Sequence, residues 1–394
     1  MIYRTFKDKE LSLLGFGAMR LPLNEDGTVD EIQTKEMVAY AIKNGVNFFD
    51  TAYPYHSGES ERIMGDILSE YPRDSYYLAT KYPGHQITAE GASNYDPASV
   101  FEEQLRKCKV DYFDFYLLHN VYENSIDTYT DPDWGIIDYF KKQKELGRIK
   151  HLGFSSHGGM DILNSFLDKY GDIMEFCQIQ LNYLDWTLQD AKAKYEMLTD
   201  RGIAVWVMEP VRGGKLASLS EDAEERLKAL RPDESIAAWS FRFLQTLPNV
   251  KMILSGMSNN EQVIDNIRTF TDGEPAADSE VEVLLEIAED MKDSIPCTSC
   301  RYCVDGCPAG LDIPHLLGIF NEVRVVPSIN SYMRLDALGP DKQASACIKC
   351  GKCSKICPQG INIPAHMEAF TEKLASLPTW ESICHQRDSE QIKR

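Results

Sequence analysis

Eight of the eleven cysteines fall between Cys297 and Cys357, in two runs of one pattern. The first run is Cys297, Cys300, Cys303 and Cys307-Pro308. The second is Cys347, Cys350, Cys353 and Cys357-Pro358. Both read C-x2-C-x2-C-x3-C-P. Three thiolates at this spacing wrap one iron–sulfur cluster, while the fourth, turned away by its proline, reaches the other. The spacing therefore assigns one [4Fe–4S] cluster to Cys297, Cys300, Cys303 and Cys357. It assigns a second to Cys347, Cys350, Cys353 and Cys307. Paired zinc sites are the alternative, but zinc rarely takes four cysteines in each run. Cys108, Cys177 and Cys384 lie outside the pattern and read as ordinary core or surface residues.

A second set of residues could do acid–base chemistry. Asp50 ends an apolar run, and Tyr55 follows five residues on. Lys81 ends a second run and His119 a third. If the three runs are neighbouring strands, these side chains converge. Asp50 then pairs with Lys81, and the Lys81 charge lowers the pKa of Tyr55. Tyr55 donates a proton to a carbonyl oxygen as hydride reaches the carbon, and His119 orients that carbonyl by hydrogen bonding. Singly, a Tyr or His at a strand end is more often structural.

Eight short apolar runs must position them: Leu14–Met19, Val46–Asp50, Tyr76–Lys81, Phe113–His119, Ile149–Phe154, Phe176–Leu181, Ile203–Met208 and Lys251–Ser255. They lack polar alternation, and amphipathic stretches such as Thr34–Lys43, Pro97–Lys109 and Leu188–Arg201 lie between them. Buried parallel strands alternating with helices give an α/β chain, and eight units predict a closed (β/α)8 TIM barrel. An open doubly wound sheet would carry a glycine-rich phosphate loop after its first strand, and Leu14-Gly-Phe-Gly-Ala-Met-Arg20 lacks the third glycine. Ile2–Phe6 and Leu11–Leu14 read as a hairpin plugging the barrel floor.

The expected domains are a barrel over 1–275, a linker and acidic helix over 276–295, and a mainly helical two-cluster domain over 296–394. Charge marks the same division. The chain carries 41 basic and 61 acidic residues, a net of −20. From Met291 onward, 12 basic residues face 11 acidic ones, so the first 290 residues hold all the excess negative charge. That balance argues against nucleic acid or an anionic membrane as a partner. No apolar run is long enough to span a bilayer and no export signal is visible, so a cytoplasmic protein is expected.

The stretches Phe49-Asp-Thr-Ala-x-x-Tyr55, Thr80-Lys81, Leu117-Leu-His119 and Gly153-Phe-Ser-Ser156 together resemble the aldo-keto reductases over residues 1–270. The resemblance implies the (β/α)8 barrel, a catalytic tetrad of Asp50, Tyr55, Lys81 and His119, and NADPH or NADH as cofactor. Ser155, Ser156 and Gln178 match the positions that hold the nicotinamide carboxamide. Met208 stands where the family usually stacks an aromatic residue on the nicotinamide. Glu209–Gly214, with Arg212, Gly213 and Gly214, matches the pyrophosphate loop. Ser255–Asn266 matches the adenosine end, with Asp265 and Asn266 near the adenine. Ser255–Gln262 holds no basic residue to face a 2′-phosphate. The C-terminal segment resembles the helical two-cluster ferredoxin module of larger redox enzymes, with helices expected at Ile313–Val323 and Ser331–Leu338.

The implied substrate is a small carbonyl or alcohol. Tyr95, Tyr122, Tyr129 and Trp134, on the long loops after the third and fourth strands, would line a lid suited to an apolar or cyclic one. Lys342, Lys349, Lys352 and Lys355 surround the second cysteine run. They either offset cluster charge or steer an acidic ferredoxin. Nicotinamide passes hydride while each cluster passes one electron. The alternatives are therefore a ferredoxin-coupled reductase that uses no free nicotinamide, its clusters feeding electrons to a substrate or a flavin in the barrel, or clusters that are purely structural. A non-enzymatic scaffold has no evident need for Tyr55 and Lys81 together.

Overall fold

The structure is a computed structural model. It describes residues 1–87, 95–271, 273–291, 295, 297, 301, 303–304, 306–325, 329–357 and 360–377. In chain order the strands are β1 (Tyr3–Phe6), β2 (Lys9–Ser12), β3 (Leu14–Gly17), β4 (Phe48–Asp50), β5 (Tyr77–Tyr82), β6 (Phe113–Leu118), β7 (Ile149–Ser156), β8 (Phe176–Gln180), β9 (Ala204–Met208) and β10 (Val250–Gly256). Strands β3 to β10 close into a parallel barrel in sequence order, with β10 paired back to β3. β6 is buried at every position, because helices cover its outer face and side chains fill the barrel inside.

The sequence signals for the helices act as expected. Asp30 caps the helix Glu31–Lys43 by accepting from the Gln33 N–H, and Asp96 caps Pro97–Cys108 through Ser99 N–H. Pro97 sits in the first turn, where its missing N–H costs nothing. The predicted Leu188–Arg201 stretch divides into Asp185–Leu188 and Ala191–Asp200, with Asp190 in the left-handed region between them. Two glycines allow close approach. A β-carbon on Gly65 would overlap the Lys107 carbonyl, and one on Gly153 would lie 2.5 Å from the Phe176 carbonyl oxygen.

The β1–β2 hairpin is antiparallel and fills the end of the barrel where the strands begin. Phe6 meets the rings of His151 at 5.2 Å, Phe115 at 5.7 Å and Trp206 at 6.4 Å. Trp206 stacks on Phe176 at 3.9 Å. With Leu11, Phe48 and Met252 these side chains form a dry core under the site. That core leaves the opposite end, where the strands finish, as the place for polar chemistry.

The chain divides into two compact units, 1–285 and 286–394. The division falls inside the helix Asp278–Met291, within the stretch expected as linker. In the second unit, the helices Ile313–Val325 and Ile363–Ala375 meet through Phe320 and Phe370, stacked at 4.8 Å. No helix among the described residues is long and apolar enough to cross a membrane.

Candidate active site and cysteine cavity

β4 and β5 pair with Asp50 opposite Ala79, which sets Lys81 beyond Asp50 on the adjacent strand. The Lys81 ammonium donates to Oδ1 of Asp50 at 2.5 Å and to the Thr51 carbonyl at 2.8 Å. The two side chains are 0% and 4% exposed, so this ion pair is sealed from water. Tyr55 opens a tight turn, Tyr55–Gly58, in which His56, Ser57 and Gly58 all have positive φ. Left-handed backbone at two non-glycine residues costs on the order of 1–2 kcal/mol each. The strained turn brings the Tyr55 ring to 4.9 Å from the Lys81 ammonium. The His119 ring stands edge-on to Tyr55 at 5.8 Å. The four residues predicted from separate runs therefore share one site at the strand ends.

Burial sets their protonation. It works against the Lys81 charge, but Asp50 and Tyr55 beside it outweigh burial and hold the ammonium above its usual range. Tyr55 departs from the sequence expectation. Burial raises its pKa more than the Lys81 charge and hydrogen bond lower it, so the phenol stays protonated well into alkaline solution. The expected lowering assumed a solvated ring, and the site is dry. His119 is held far below the usual imidazole range, first by burial, then by the neighbouring His85 and Lys81. It is neutral at physiological pH.

Two features went unnoticed in the sequence. His85, on the turn after β5, stands 4.5 Å from the His119 ring, and His157, after β7, adds a third imidazole. His157 is pushed down to about 4 by burial. Neither histidine belongs to a run or spacing that would mark it. The second feature is Glu61, wholly buried behind β5. It accepts from Thr80 at 2.6 Å and from Gln104 at 2.7 Å, and Gln104 also donates to the Lys81 carbonyl at 3.0 Å. Burial, only partly offset by the Thr80 and Gln104 hydrogen bonds and the Lys107 charge, pushes Glu61 up to about 7. Nothing in its sequence position, one residue past Ser60 on an amphipathic helix, distinguishes it from a solvated carboxylate.

The loop aromatics do not form the expected lid. Tyr122 and Tyr129 are buried, and the Tyr129 hydroxyl donates to the carbonyls of His119 at 2.7 Å and Tyr82 at 3.1 Å. Tyr95 contributes its backbone carbonyl to the Tyr82 hydroxyl, and Trp134 is half-buried. The buried Tyr122 and Tyr129 anchor their loop, because a long loop needs its own small core. What borders Tyr55 on this side is imidazole rather than an apolar wall.

The residues matched to nicotinamide binding ring the same strand ends. Ser155 and Gln178 sit opposite each other on β7 and β8. Ser155 accepts from the Asn120 N–H at 2.8 Å and keeps its own proton to donate. Ser156 both donates to the Val121 carbonyl and accepts from Gly158, so its hydroxyl is engaged locally. Gln178 buries an amide oxygen that has no hydrogen-bond partner. A carboxamide NH2 would satisfy it, so the group fits there. Met208 is half-buried at the end of β9. Gly213 and Gly214 have φ of 64° and 96°, but the Gly214 N–H is taken by the Val211 carbonyl at 3.0 Å. Arg212 is buried, with Nε 3.1 Å from Asp185 Oδ1 and both terminal nitrogens without a hydrogen-bond partner. Asp265 is occupied by the Ser235 hydroxyl and Arg268, and Asn266 donates to Ser255. Both lie on the helix Asn260–Thr271, and they tie it to Ser235 and to the end of β10.

In the second unit, Cys307, Cys347, Cys350 and Cys353 line one small cavity, walled by Leu311, Ile313, Ile363 and Met367. One cysteine of the first run thus joins three of the second. An apolar pocket lined by four thiols matches the donor set of a [4Fe–4S] cluster. Cys297, Cys303 and Cys357 belong to the same small core, and Cys300 lies outside the described residues. Lys349 pairs with Glu368 at 2.5 Å and Lys342 with Asp341 at 3.7 Å, while Lys352 and Lys355 are exposed. Cys108 and Cys177 are buried in the barrel unit, and Cys384 lies outside the described residues.

Comparison with known proteins agrees with this geometry. L-galactose dehydrogenase of Arabidopsis thaliana is 26% identical over 310 residues, covering 72% of this chain and 93% of that one. NADH-specific methylglyoxal reductase of Escherichia coli is 24% identical over 326 residues, covering 72% and 97%. An aldo-keto reductase structure from Bacillus halodurans, in its holo form, superposes with a TM-score of 0.58 at 24% identity, covering 73% of this chain and 96% of that one. A 4Fe-4S dicluster domain model matches residues 296–361. The aldo/keto reductase family model matches residues 13–289, more than half of the chain, and the protein is an oxidoreductase of that family with an iron–sulfur domain at its C-terminal side.

Proposed function

We propose that the barrel reduces a small carbonyl compound to its alcohol with NADPH or NADH, Tyr55 serving as the general acid. The observation that carries this reading is the sealed Asp50–Lys81 pair set against the Tyr55 ring, with neutral His119 beside it. A nicotinamide dinucleotide would be held by Ser155 and the unpartnered Gln178 amide oxygen, and would supply hydride. The substrate carbonyl lies at Tyr55, and a neutral His119 donates a hydrogen bond to its oxygen without protonating it. Tyr55 passes its proton to that oxygen as the carbon accepts hydride. The phenolate left behind is stabilised by the Lys81 ammonium, which Asp50 keeps charged. Solvent then returns the proton. Burial keeps Tyr55 protonated, the form a general acid needs at the start of reduction. The Arabidopsis and Escherichia coli relatives are named for polar substrates, a sugar and methylglyoxal, which agrees with the imidazole-lined side of this site.

Two [4Fe–4S] clusters complete this reading, held by Cys297, Cys300, Cys303 and Cys357, and by Cys347, Cys350, Cys353 and Cys307. Such clusters supply one-electron transfer. A Tyr55→Phe variant tests the acid. Turnover of a carbonyl probe is expected to fall by roughly 10²–10⁴-fold with dinucleotide binding unchanged. Retained turnover would remove Tyr55 from the role.

A further inference from the structure

This inference rests on the cluster reading and deepens it. The segment Lys342–Met367 carries four lysines, Lys342, Lys349, Lys352 and Lys355, and no Asp or Glu. Two of the four are occupied. Lys342 meets Asp341 at 3.7 Å, and Lys349 meets Glu368 at 2.5 Å. Lys352 and Lys355 are exposed and, among the described residues, have no ion-pair partner. The first cysteine run differs. Its Arg301 is held by the Asp312 carboxylate through both terminal nitrogens, at 3.1 and 3.2 Å. Unpaired positive charge thus gathers at the second run.

Apolar surface lies beside these two lysines. In the second unit, Ile348 and Ile356 are the exposed large apolar side chains among the described residues, at 64% and 55% exposure. Ile348 and Lys352 line the cavity together with Cys307, Cys347, Cys350 and Cys353. Lys352, Lys355 and Ile356 lie on the short helix Lys352–Ile356. Positions three and four apart on a helix are neighbours, so Lys355 and Ile356 both adjoin Lys352. The patch is therefore continuous from Ile348 across Lys352 to Ile356. Cys350 is itself exposed, whereas Cys353 is buried. The cavity that fits a cluster thus has one thiol at the surface, within a patch of two isoleucines and two ammonium groups.

We propose that Ile348, Lys352, Lys355 and Ile356 form a docking surface for a small acidic one-electron carrier protein, which exchanges an electron with the cluster held by Cys307, Cys347, Cys350 and Cys353. One electron leaves one partner and enters the other, and no bond forms or breaks. The chemistry of the patch selects this partner. Apolar side chains bordered by charge are the make-up of a protein interface, and a positive border calls for an acidic surface opposite. The chain as a whole carries −20, which disfavours encounter with an acidic protein. Attraction at the patch acts over a screening length of about 10 Å, so it orients the carrier onto the exposed Cys350 edge.

The test uses the whole protein, loaded with iron and sulfide without oxygen, and a small acidic two-cluster ferredoxin as the probe. Calorimetric titration gives the affinity of wild type, of Lys352→Glu combined with Lys355→Glu, and of Ile348→Ser, at about 25 mM and about 300 mM salt. Iron content and reduction by methyl viologen radical are recorded for each, to confirm intact clusters. The lysine variant should bind roughly tenfold more weakly than wild type at low salt, with the gap closing at high salt. Ile348→Ser should lose roughly fivefold at both, because apolar contact is not screened. Affinity unchanged in either variant, or loaded wild type that binds no ferredoxin, would overturn the docking surface and leave the cluster reading standing. Should the lysine variant lose iron, Ile348→Ser decides alone: weakened binding supports the surface and unchanged binding overturns it. Wild type that takes up no iron would overturn the cluster reading and the docking surface with it.

Discussion

The hydroxyl of Tyr129 donates to the carbonyl oxygen of His119 at 2.7 Å, while its ring fills the space left by Gly84. A residue of the loop after β6 thereby fixes the backbone of the imidazole that faces Tyr55. Tyr129→Phe keeps the ring and removes one buried hydrogen bond, worth about 0.5–1.5 kcal/mol. We expect kcat for carbonyl reduction to fall by up to roughly tenfold, KM to change less, and the His119 imidazole signals to shift in NMR spectra. Unchanged imidazole signals and unchanged kcat would leave Tyr129 a packing residue only.

His119 is neutral and Tyr55 protonated over the physiological range, because burial acts on both. Neither group titrates near neutrality. The kcat profile should therefore be flat from about pH 6 to about pH 9, and fall only in more alkaline solution as Tyr55 ionises. An inflection near pH 6.5, the ordinary imidazole value, would contradict this assignment.

Glu61 carries a stability signature. Its folded pKa is raised to about 7 from an ordinary value of 4.5, so between those values the folded protein binds more protons than the unfolded chain. Stability from this group is complete below about pH 4.5 and declines as pH rises through about 7. Glu61→Gln removes the titration. At pH 8 the variant should be more stable than wild type by an amount on the order of 3 kcal/mol, and near pH 4.5 the two should be alike. Urea unfolding at both pH values measures it. A wild-type advantage at pH 8 would show that the Glu61 charge is stabilised by more than its two hydrogen bonds.

The cavity shared by Cys307, Cys347, Cys350 and Cys353 makes a prediction about iron. On the proposed assignment, Cys307→Ala would remove a ligand from the cluster held mainly by the second run, although Cys307 belongs to the first. Iron and acid-labile sulfide should fall to about half, and the loss should match that in Cys350→Ala. Cys297→Ala should also halve the iron, and Cys297→Ala combined with Cys307→Ala should abolish it. If Cys307→Ala and Cys350→Ala together also abolished it, the two cysteines would serve different clusters.

The barrel was legible because its eight strands are buried on both faces, so each appears as an apolar run without alternation, as in Phe113–Leu118. The boundaries shifted by one to three residues at caps and turns, where local hydrogen bonds decide. The Asp50, Tyr55, Lys81 and His119 set was legible because each residue ends or follows a strand, and strand ends converge in a barrel. The Tyr55 pKa was not, since its direction depends on how dry the site is, and burial is a property of the assembled fold. His85 was invisible for another reason. It acts by reaching a residue far away in sequence, His119, and no spacing encodes that contact. The cysteine runs stand at the opposite extreme, with ligand type and spacing both local.

In the proposed reduction, hydride reaches the carbonyl carbon as Tyr55 protonates the oxygen. The direct measurement is deuterium transfer from NADPH or NADH, labelled at the nicotinamide carbon that gives up hydride, into a nitrobenzaldehyde probe. It is made with wild-type protein and with Tyr55→Phe, purified without oxygen. We expect one deuterium on the alcohol carbon with wild type, and transfer slowed by at least roughly a hundredfold with the variant. Alcohol formed without deuterium, or at the same rate in both proteins, would contradict it.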